Sequence, residues 1–170
     1  MKKILAFLLL TTLFKASYAQ EVDTNVRPAF DLKLFVDSTN FYQAHMDSTN
    51  YIIKGKAVQV FPGEKLFIEA KIKDDSLTDL KIVPQISHKD KTIVIEFSQE
   101  HDGKVHTNMR LHLVNPFSKS LEYSAHINLM RQKRWVGTDV LPVFPGVAAN
   151  ETWQDIITTI VLHDFHLKNQ

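Results

Sequence analysis

Apolar and polar residues alternate with a period of two along much of the chain. In residues 30–36, Leu32 and Leu34 alternate with Asp31 and Lys33. Successive side chains of a strand point to opposite faces, so this period predicts a strand with one buried face. The same pattern recurs in residues 66–73, 93–97, 109–113 and 121–129.

Turn-forming residues separate these stretches. Pro fixes φ, Gly permits positive φ, and Asn or Asp bonds its own backbone, so short clusters of them mark the ends of strands. Many short strands separated by such turn-forming clusters predict an all-β sandwich or barrel. A helical turn is predicted only at residues 150–157, where Asn150 suits a cap and Glu151 a first turn. The turn clusters lie at residues 62–63, 74–76, 101–103, 115–116 and 145–146.

The tetrapeptide D-S-T-N occurs twice, at residues 37–40 and 47–50, and an aromatic residue follows each copy. Its residue types favour two turns that end strands. A cation site is the alternative, but calcium prefers several carboxylates and a Gly in the loop, whereas each copy offers one carboxylate and no Gly. A recognition loop that displays Phe41, Tyr42 and Tyr51 is the third interpretation.

The N-terminus has the pattern of a secretory signal peptide. Two lysines precede an apolar run at residues 4–14, which is shorter than the roughly 20 residues that a membrane-spanning helix needs. Residues 17–19, Ser-Tyr-Ala, match the small-x-small site of signal peptidase, which predicts a cut between Ala19 and Gln20. We therefore expect a secreted or periplasmic protein that has no membrane span once the signal is removed.

Charge and cysteine content disfavour several classes of protein. The chain has 20 basic and 19 acidic side chains, and removal of residues 1–19 takes away three lysines, which leaves 17 and 19. So small a net charge disfavours a nucleic-acid partner and gives little attraction to anionic membranes. The chain contains no cysteine, which excludes a disulfide framework and thiol chemistry. Residues 20–170 are expected to form one domain whose stability depends on its apolar core.

Two segments resemble strands of immunoglobulin-like domains. Residues 60–72, V-F-P-G-E-K-L-F-I-E-A-K-I, are similar to the second strand, and residues 115–127, N-P-F-S-K-S-L-E-Y-S-A-H-I, to the sixth. The resemblance implies that Ala70 and Ala125 take the places of the paired cysteines and that Tyr123 stands at the tyrosine corner. The N-P-F and L-E-Y-S-A elements, with a later W-x-x-I, also resemble secreted bacterial proteins of unknown function. Together they imply a single immunoglobulin-like β-sandwich with N- and C-terminal extensions, and no specific activity.

Local catalytic signatures are absent from the sequence, including a G-x-S-x-G elbow, a glycine-rich phosphate loop, H-E-x-x-H and C-x-x-C. We predict no catalytic residue, no metal site and no cofactor. His163 and His166 form the densest histidine cluster, but residues i and i+3 of a strand point to opposite faces, so a chelate would require a bulge. His112 and His126 are expected to be diagonal neighbours, because a turn at residues 115–120 would join their strands as a hairpin. Solvent-facing side chains are the simpler interpretation of all four.

A basic run that ends in an indole is the sharpest charge feature. Arg131, Lys133, Arg134 and Trp135 are the predicted binding residues, which would hold an acidic glycan, a phosphate headgroup or an acidic partner through charge-assisted bonds and stacking. A solvated loop with its Trp against the sandwich edge is the alternative. We predict a non-catalytic binding or assembly module of the cell envelope, whose partner is another envelope protein or a glycan. A carbohydrate-binding module with exposed aromatics and a hydrolase with a site assembled from distant residues remain alternatives.

Overall fold

The computed structural model of the protein describes residues 24–169, in which fourteen strands are joined by turns and loops without any helix. The predicted signal peptide and its cut lie outside the described residues. The five stretches with a period of two fall in five of these strands, which confirms the all-β class. In chain order the strands are β1 Val26–Arg27, β2 Phe30–Phe35, β3 Phe41–Met46, β4 Thr49–Asn50, β5 Ile52–Ile53, β6 Ala57–Val60, β7 Glu64–Lys73, β8 Ser76–Val83, β9 Thr92–Asp102, β10 Val105–Val114, β11 Ser120–Leu129, β12 Arg134–Thr138, β13 Ala148–Trp153 and β14 Ile157–Lys168.

Eight strands follow one path of hydrogen-bonded neighbours in the order β12-β11-β14-β8-β7-β9-β10-β13. Strand β6 also pairs with β14, and β5 pairs with β6. Among the described residues a single pair, His166 with Ser76, joins β14 to β8, so the path divides there into two sheets. The β2–β3 hairpin and the β1–β4 pair are separate two-stranded sheets. This arrangement is consistent with a β-sandwich.

The apolar core collects the inward faces of both sheets. One buried cluster contains Ile68 of β7 and Ile127 of β11, together with inward residues of β6, β8, β9, β10 and β14. A smaller cluster lies under the β2–β3 hairpin, where Leu32 and Leu34 pack with Phe61. The alternating residues of the sequence therefore become the inward faces, because burying them removes apolar surface from water.

Two hairpins have the turn chemistry that their sequences predict. Asp74 and Asp75, between β7 and β8, have φ of 50° and 59°. Gly103 and Lys104, between β9 and β10, have φ of 51° and 80°. Positive φ at both central residues is the requirement of a type I′ turn, which Asp74, Asp75 and Gly103 tolerate, whereas Lys104 is an unusual residue at such a position.

The predicted helical turn at residues 150–157 is wrong. Its first half belongs to β13, which pairs antiparallel with β10 from Met109 opposite Trp153 to Val114 opposite Ala148. Cap and first-turn preferences are weak and local, so a six-residue ladder of cross-strand pairing overrides them.

The predicted hairpin at residues 115–120 is also wrong, because β10 and β11 do not pair: β10 pairs with β9 and β13, and β11 pairs with β12 and β14. The chain crosses between them at Asn115, whose side chain is fully buried. The Asn115 amide donates to the carbonyls of Lys119, Val143 and Phe144 at 2.8, 2.8 and 3.2 Å, and its oxygen accepts the Phe117 N–H at 2.9 Å. The N-P-F element therefore fastens the crossover to the loop at residues 139–147.

The inward face of β7 ends earlier than its alternation predicts. Its register with β8 shifts between Glu69 and Lys71, and beyond that shift Ile72 is 51% exposed. Ala70 is half-buried at the shift, whereas Ala125 in β11 is buried. A bulge adds one residue to a strand and so reverses the faces that follow it.

The two D-S-T-N copies have different structures. In the first, Asp37 Oδ1 accepts the N–H groups of Thr39 and Asn40 at 2.9 and 2.8 Å, which confirms a turn. Hydrogen bonds to Asp37 hold the pKa of its carboxyl group far below the ordinary value, and the bond from the Asn40 side-chain amide contributes most. In the second, Thr49 and the residue after it form β4, so the prediction of a simple turn is wrong there. The second copy differs from the first because its Thr49 pairs with Arg27 of β1.

Candidate functional site

The predicted binding residues lie at the end of the β11–β12 hairpin. Arg131 and Lys133 are exposed in the turn, Arg134 begins β12, and Trp135 is 47% exposed. Arg134 Nε donates to the side-chain oxygen of Gln132 at 2.5 Å. The ion pairs formed within residues 24–169 do not include any of these three cations. The turn therefore presents uncompensated positive charge beside an indole.

Trp135 shares the outer face of its sheet with His126. Asn128 of β11 stands opposite Trp135, and His126 stands opposite Gly137. Residues that are directly opposite in a strand pair lie on the same face, and the residue between these positions, Ile127, belongs to the core. Gly137 has no side chain, so the ring of His126 is open to solvent on that side.

Histidines from two parts of the sequence meet on this face. His126 Nδ1 lies 2.8 Å from His163 Nε2, and the two rings stack with centroids 5.0 Å apart and 28° between their planes. The other nitrogen of His163, Nδ1, lies 2.8 Å from Asp164 Oδ2. A chain of three polar groups therefore runs Asp164–His163–His126 along the outer surface of β14 and β11.

The two histidines meet where β11 and β14 are in regular register, since Ser124 pairs with His163 and His126 with Val161, and a bulge in β14 follows directly. The register with β11 shifts between Glu122, which pairs with His166, and Ser124, which pairs with His163. Asp164 lies within the bulge at φ 54°, a left-handed conformation that Asp adopts more readily than most residues. The bulge that a histidine cluster here would require is thus present.

His166 belongs to a second group beside the pair. Its Nε2 lies 2.9 Å from Glu122 Oε2, and Lys168 Nζ lies 3.1 Å from Glu122 Oε1. The hydrogen bond from Lys168 and the weaker one from His166 hold the pKa of Glu122 below its ordinary value. This carboxylate is therefore a stabilised anion rather than a proton donor.

The predicted pairing of His112 with His126 is wrong. His112 lies in β10, which does not pair with β11, and its Nδ1 is 3.0 Å from Asn150 Oδ1. The error follows from the hairpin expected at residues 115–120. His126 instead contacts His163. In the sequence, the H-D-x-H motif of β14 was the feature that indicated this histidine.

The hydrolase alternative finds little support in these groups. Ser124 stands opposite His163, but the two nitrogens of His163 contact His126 and Asp164 rather than a hydroxyl. Within residues 24–169, the two carboxyl groups with a shifted pKa, Asp37 and Glu122, are both shifted downward. A general acid of a glycosidase needs the opposite shift.

A second candidate site is the open edge, which we define as β12, residues 139–147 and β13. Strands β12 and β13 are the two ends of the strand path, and each pairs on one side only within the described residues. Trp153 Nε1 donates to Thr138 Oγ1 at 2.9 Å, which holds the two ends together. The intervening loop is fastened where Val143 pairs with Leu121, with both N–O distances at 2.9 Å.

Large apolar side chains are exposed along the open edge. Leu141 is 70% exposed and Phe144 59% exposed, and Trp135 and Val147 are each 47% exposed. The single charged residue of β13, Glu151, accepts the Leu141 N–H at 2.8 Å. Apolar exposure concentrated on one short segment marks an interaction site more often than scattered residues do.

Tyr123 does not make the hydrogen bond that a tyrosine corner implies. Its buried hydroxyl has no partner within residues 24–169, and its ring stacks on Phe165 with centroids 6.0 Å apart. Burial, with a smaller contribution from Glu151, raises the pKa of Tyr123. Tyr123 is thus a core residue.

Comparison with known proteins finds no matching family model, no matching curated protein and no matching solved structure. In the part of the chain that the structure describes, no helix has the length and apolar character needed to cross a membrane. The functional argument therefore depends on the site geometry.

Proposed function

We propose that the protein is an exported, non-catalytic binding or assembly module of the cell envelope that takes an extended segment of a partner protein along its open edge. Export is supported by the signal-peptide pattern of residues 1–19. An immunoglobulin-like type of sandwich is part of the proposal. It is supported by the buried Ala125 and by the half-buried Ala70, which packs against the same core.

The character of strand β13 carries this proposal. An edge strand presents unpaired N–H and C=O groups, and proteins usually guard such an edge with lysines, prolines or bulges. Strand β13 reads A-A-N-E-T-W, without lysine or proline, and its pairing with β10 is regular over six residues. Its free edge is therefore suited to pairing with another chain.

Strand β12, at the opposite end of the strand path, has the charged residues that β13 lacks. Strand β12 starts with Arg134 and follows a turn that contains Arg131 and Lys133. These cations guard β12 against strand addition. The unguarded β13 adjoins the exposed Leu141 and Phe144. An extended segment with apolar side chains at alternate positions fits both the free main chain and this apolar loop.

An acidic glycan bound by Trp135 and the basic turn is the second candidate. The observation in its favour is the half-exposed indole beside three cations that form no ion pair with any residue of 24–169. The exposed aromatic residues Phe41, Trp135 and Phe144, however, lie on β3, β12 and a loop, rather than in one row on a sheet. This dispersion ranks glycan binding below protein binding.

Photo-cross-linking in an exporting bacterial host tests the proposed function. Benzoylphenylalanine in place of Phe144 should give a discrete cross-linked polypeptide, whereas the same group in place of Phe41, which is 51% exposed on β3, should not. The pair of changes Ala148→Lys and Asn150→Lys guards the β13 edge and should abolish the cross-link. Gln43→Lys with His45→Lys, on the β3 edge, is the matched control and should preserve it.

Two results would contradict the proposal. Equal cross-linking from positions 144 and 41 would show that the open edge is not a specific surface. A recovered chain whose intact mass still includes residues 1–19 would refute the cut between Ala19 and Gln20.

A further inference from the structure

We propose that His126 and His163 form a surface site for a divalent transition-metal ion such as Cu²⁺, Ni²⁺ or Zn²⁺, with Asp164 as the positioning residue. Imidazole nitrogens suit these ions. The proposal is independent of the open edge, and it departs from the expectation of no metal that the sequence alone supports.

The tautomers of the pair follow from the hydrogen bonds. An ionised Asp164 carboxylate only accepts, so the His163 nitrogen facing it, Nδ1, carries the proton. The neutral ring of His163 then presents the lone pair of Nε2 toward His126 Nδ1, which donates across the 2.8 Å contact. His163 is therefore held in the tautomer that a metal ligand requires.

The Asp164–His163 contact matches the outer shell of known metal sites. A metal-ligating histidine typically donates its second ring N–H to a carboxylate, which fixes the ring and increases its basicity. Here the contact is built by the bulge that places Asp164 at φ 54°. The left-handed conformation and the register shift both serve to bring this carboxylate to His163.

The separation of the two histidines suits a shared ion. Metal–nitrogen bonds of about 2.0–2.1 Å, at angles between square and tetrahedral, place two ligand nitrogens about 2.9–3.4 Å apart. The observed 2.8 Å needs to open by only a few tenths of an ångström. The rings turn so that both lone pairs point at the ion, which lies beside the line between the two nitrogens and takes the place of their hydrogen bond. The Nδ1 proton of His126 goes to solvent and Nε2 takes one up, so the number of ring protons is unchanged.

The surroundings leave room for this change. A Cβ at Gly137 would lie 3.8 Å from His126 Nε2, so glycine at this position keeps that nitrogen open to water. The His163 and Asp164 side chains are 24% and 77% exposed. Water completes the coordination of the ion, because the described residues contain no group of three or more potential ligands.

Calorimetric titration of residues 20–170 with Cu²⁺ and Zn²⁺ tests the site. We expect one site in the parent protein, at least tenfold weaker binding in His126→Ala and in His163→Ala, and two-nitrogen hyperfine structure in the Cu²⁺ electron paramagnetic resonance spectrum. Asp164→Gly removes the carboxylate while allowing the positive φ, and it should weaken binding by about 10–100-fold.

His45→Ala is the matched control. His45 Nδ1 contacts Asp31 Oδ1 at 2.9 Å, a histidine–carboxylate pair without a second imidazole, and its loss should leave affinity unchanged. Parent affinity equal to that of a folded His126→Ala variant would overturn the proposal, as would a one-nitrogen spectrum. If either alanine variant unfolds, the two-nitrogen spectrum of the parent and the Asp164→Gly titration decide the matter.

Discussion

Replacing Arg27 by alanine is expected to destabilise the fold by about 3–5 kcal/mol, the cost typical of breaking a buried ion pair. The Arg27 side chain is 2% exposed, and its Nε and Nη2 contact the two oxygens of Glu64 at 2.5 and 3.0 Å. Nη2 also donates to the Gln59 carbonyl at 2.7 Å, and Nη1 to Thr49 Oγ1 at 3.0 Å. The guanidinium thus joins β1 and β4 to β6 and β7.

Two aromatic rings complete this environment. The guanidinium carbon lies 4.3 Å from the centroid of Tyr51 and 4.7 Å from that of Phe61. Burial and, next, the charge of Glu64 raise the pKa of Tyr51, while Arg27 opposes that rise. Removing Arg27 therefore leaves a largely buried carboxylate without its cation, in a site that excludes water.

Urea unfolding of residues 20–170 measures this cost. The matched control is Lys71→Ala, because the Lys71–Asp79 pair at 3.0 Å has side chains 78% and 67% exposed. Its loss should cost about 0–1 kcal/mol. The double change Arg27→Met with Glu64→Gln should cost less than the sum of its two single changes, since neither charge remains unpaired. Equal costs for Arg27→Ala and Lys71→Ala would contradict this account of the buried pair.

Asn115→Ala is expected to cost about 2–4 kcal/mol, because it removes four hydrogen bonds made by a fully buried side chain. The side chain bonds to three carbonyl groups and one N–H, and two of the carbonyls, those of Val143 and Phe144, lie in the loop of the open edge. The same change should therefore increase proteolytic cleavage within residues 139–147. Urea unfolding and limited proteolysis measure the two effects.

Asn150→Ala supplies the control for this prediction. Asn150 is an exposed asparagine whose Oδ1 lies 3.0 Å from His112 Nδ1 at the surface, so its replacement should change stability by less than about 0.5 kcal/mol. If Asn115→Ala were as mild as Asn150→Ala, or left the loop as resistant to protease as the parent, the N-P-F element would not be the anchor of the open edge.

The strands could be predicted from sequence because their alternation is local and long. Stretches such as residues 121–129 keep one face apolar over many positions, and β11 buries that face as expected. The predictions fail where the structure of a segment depends on pairing with residues that are distant in sequence. Strand β13 has weak strand propensity, and it is a strand because β10 lies beside it.

The sites required information that periodicity does not contain. The meeting of His126 and His163 depends on the pairing of β11 with β14, and the position of Asp164 depends on one extra residue in β14. Trp135 and its basic neighbours could be selected from the sequence as a candidate site, whereas the proximity of β12 to β13 depends on the Trp153–Thr138 contact. Whether such polar or aromatic residues form a site or a solvated surface therefore depends on which strands pair, and composition does not contain that information.

Hydrogen exchange of the backbone amides tests the central claim, strand addition at β13, most directly. The probe is a synthetic peptide that spans the segment cross-linked from position 144. With this peptide bound, exchange should slow at those amides of residues 148–153 that do not already bond to β10, and it should be unchanged in β3, the control edge. A bound peptide that protects only Trp135 and the basic turn, or that leaves β13 exchange unaltered, would contradict the claim.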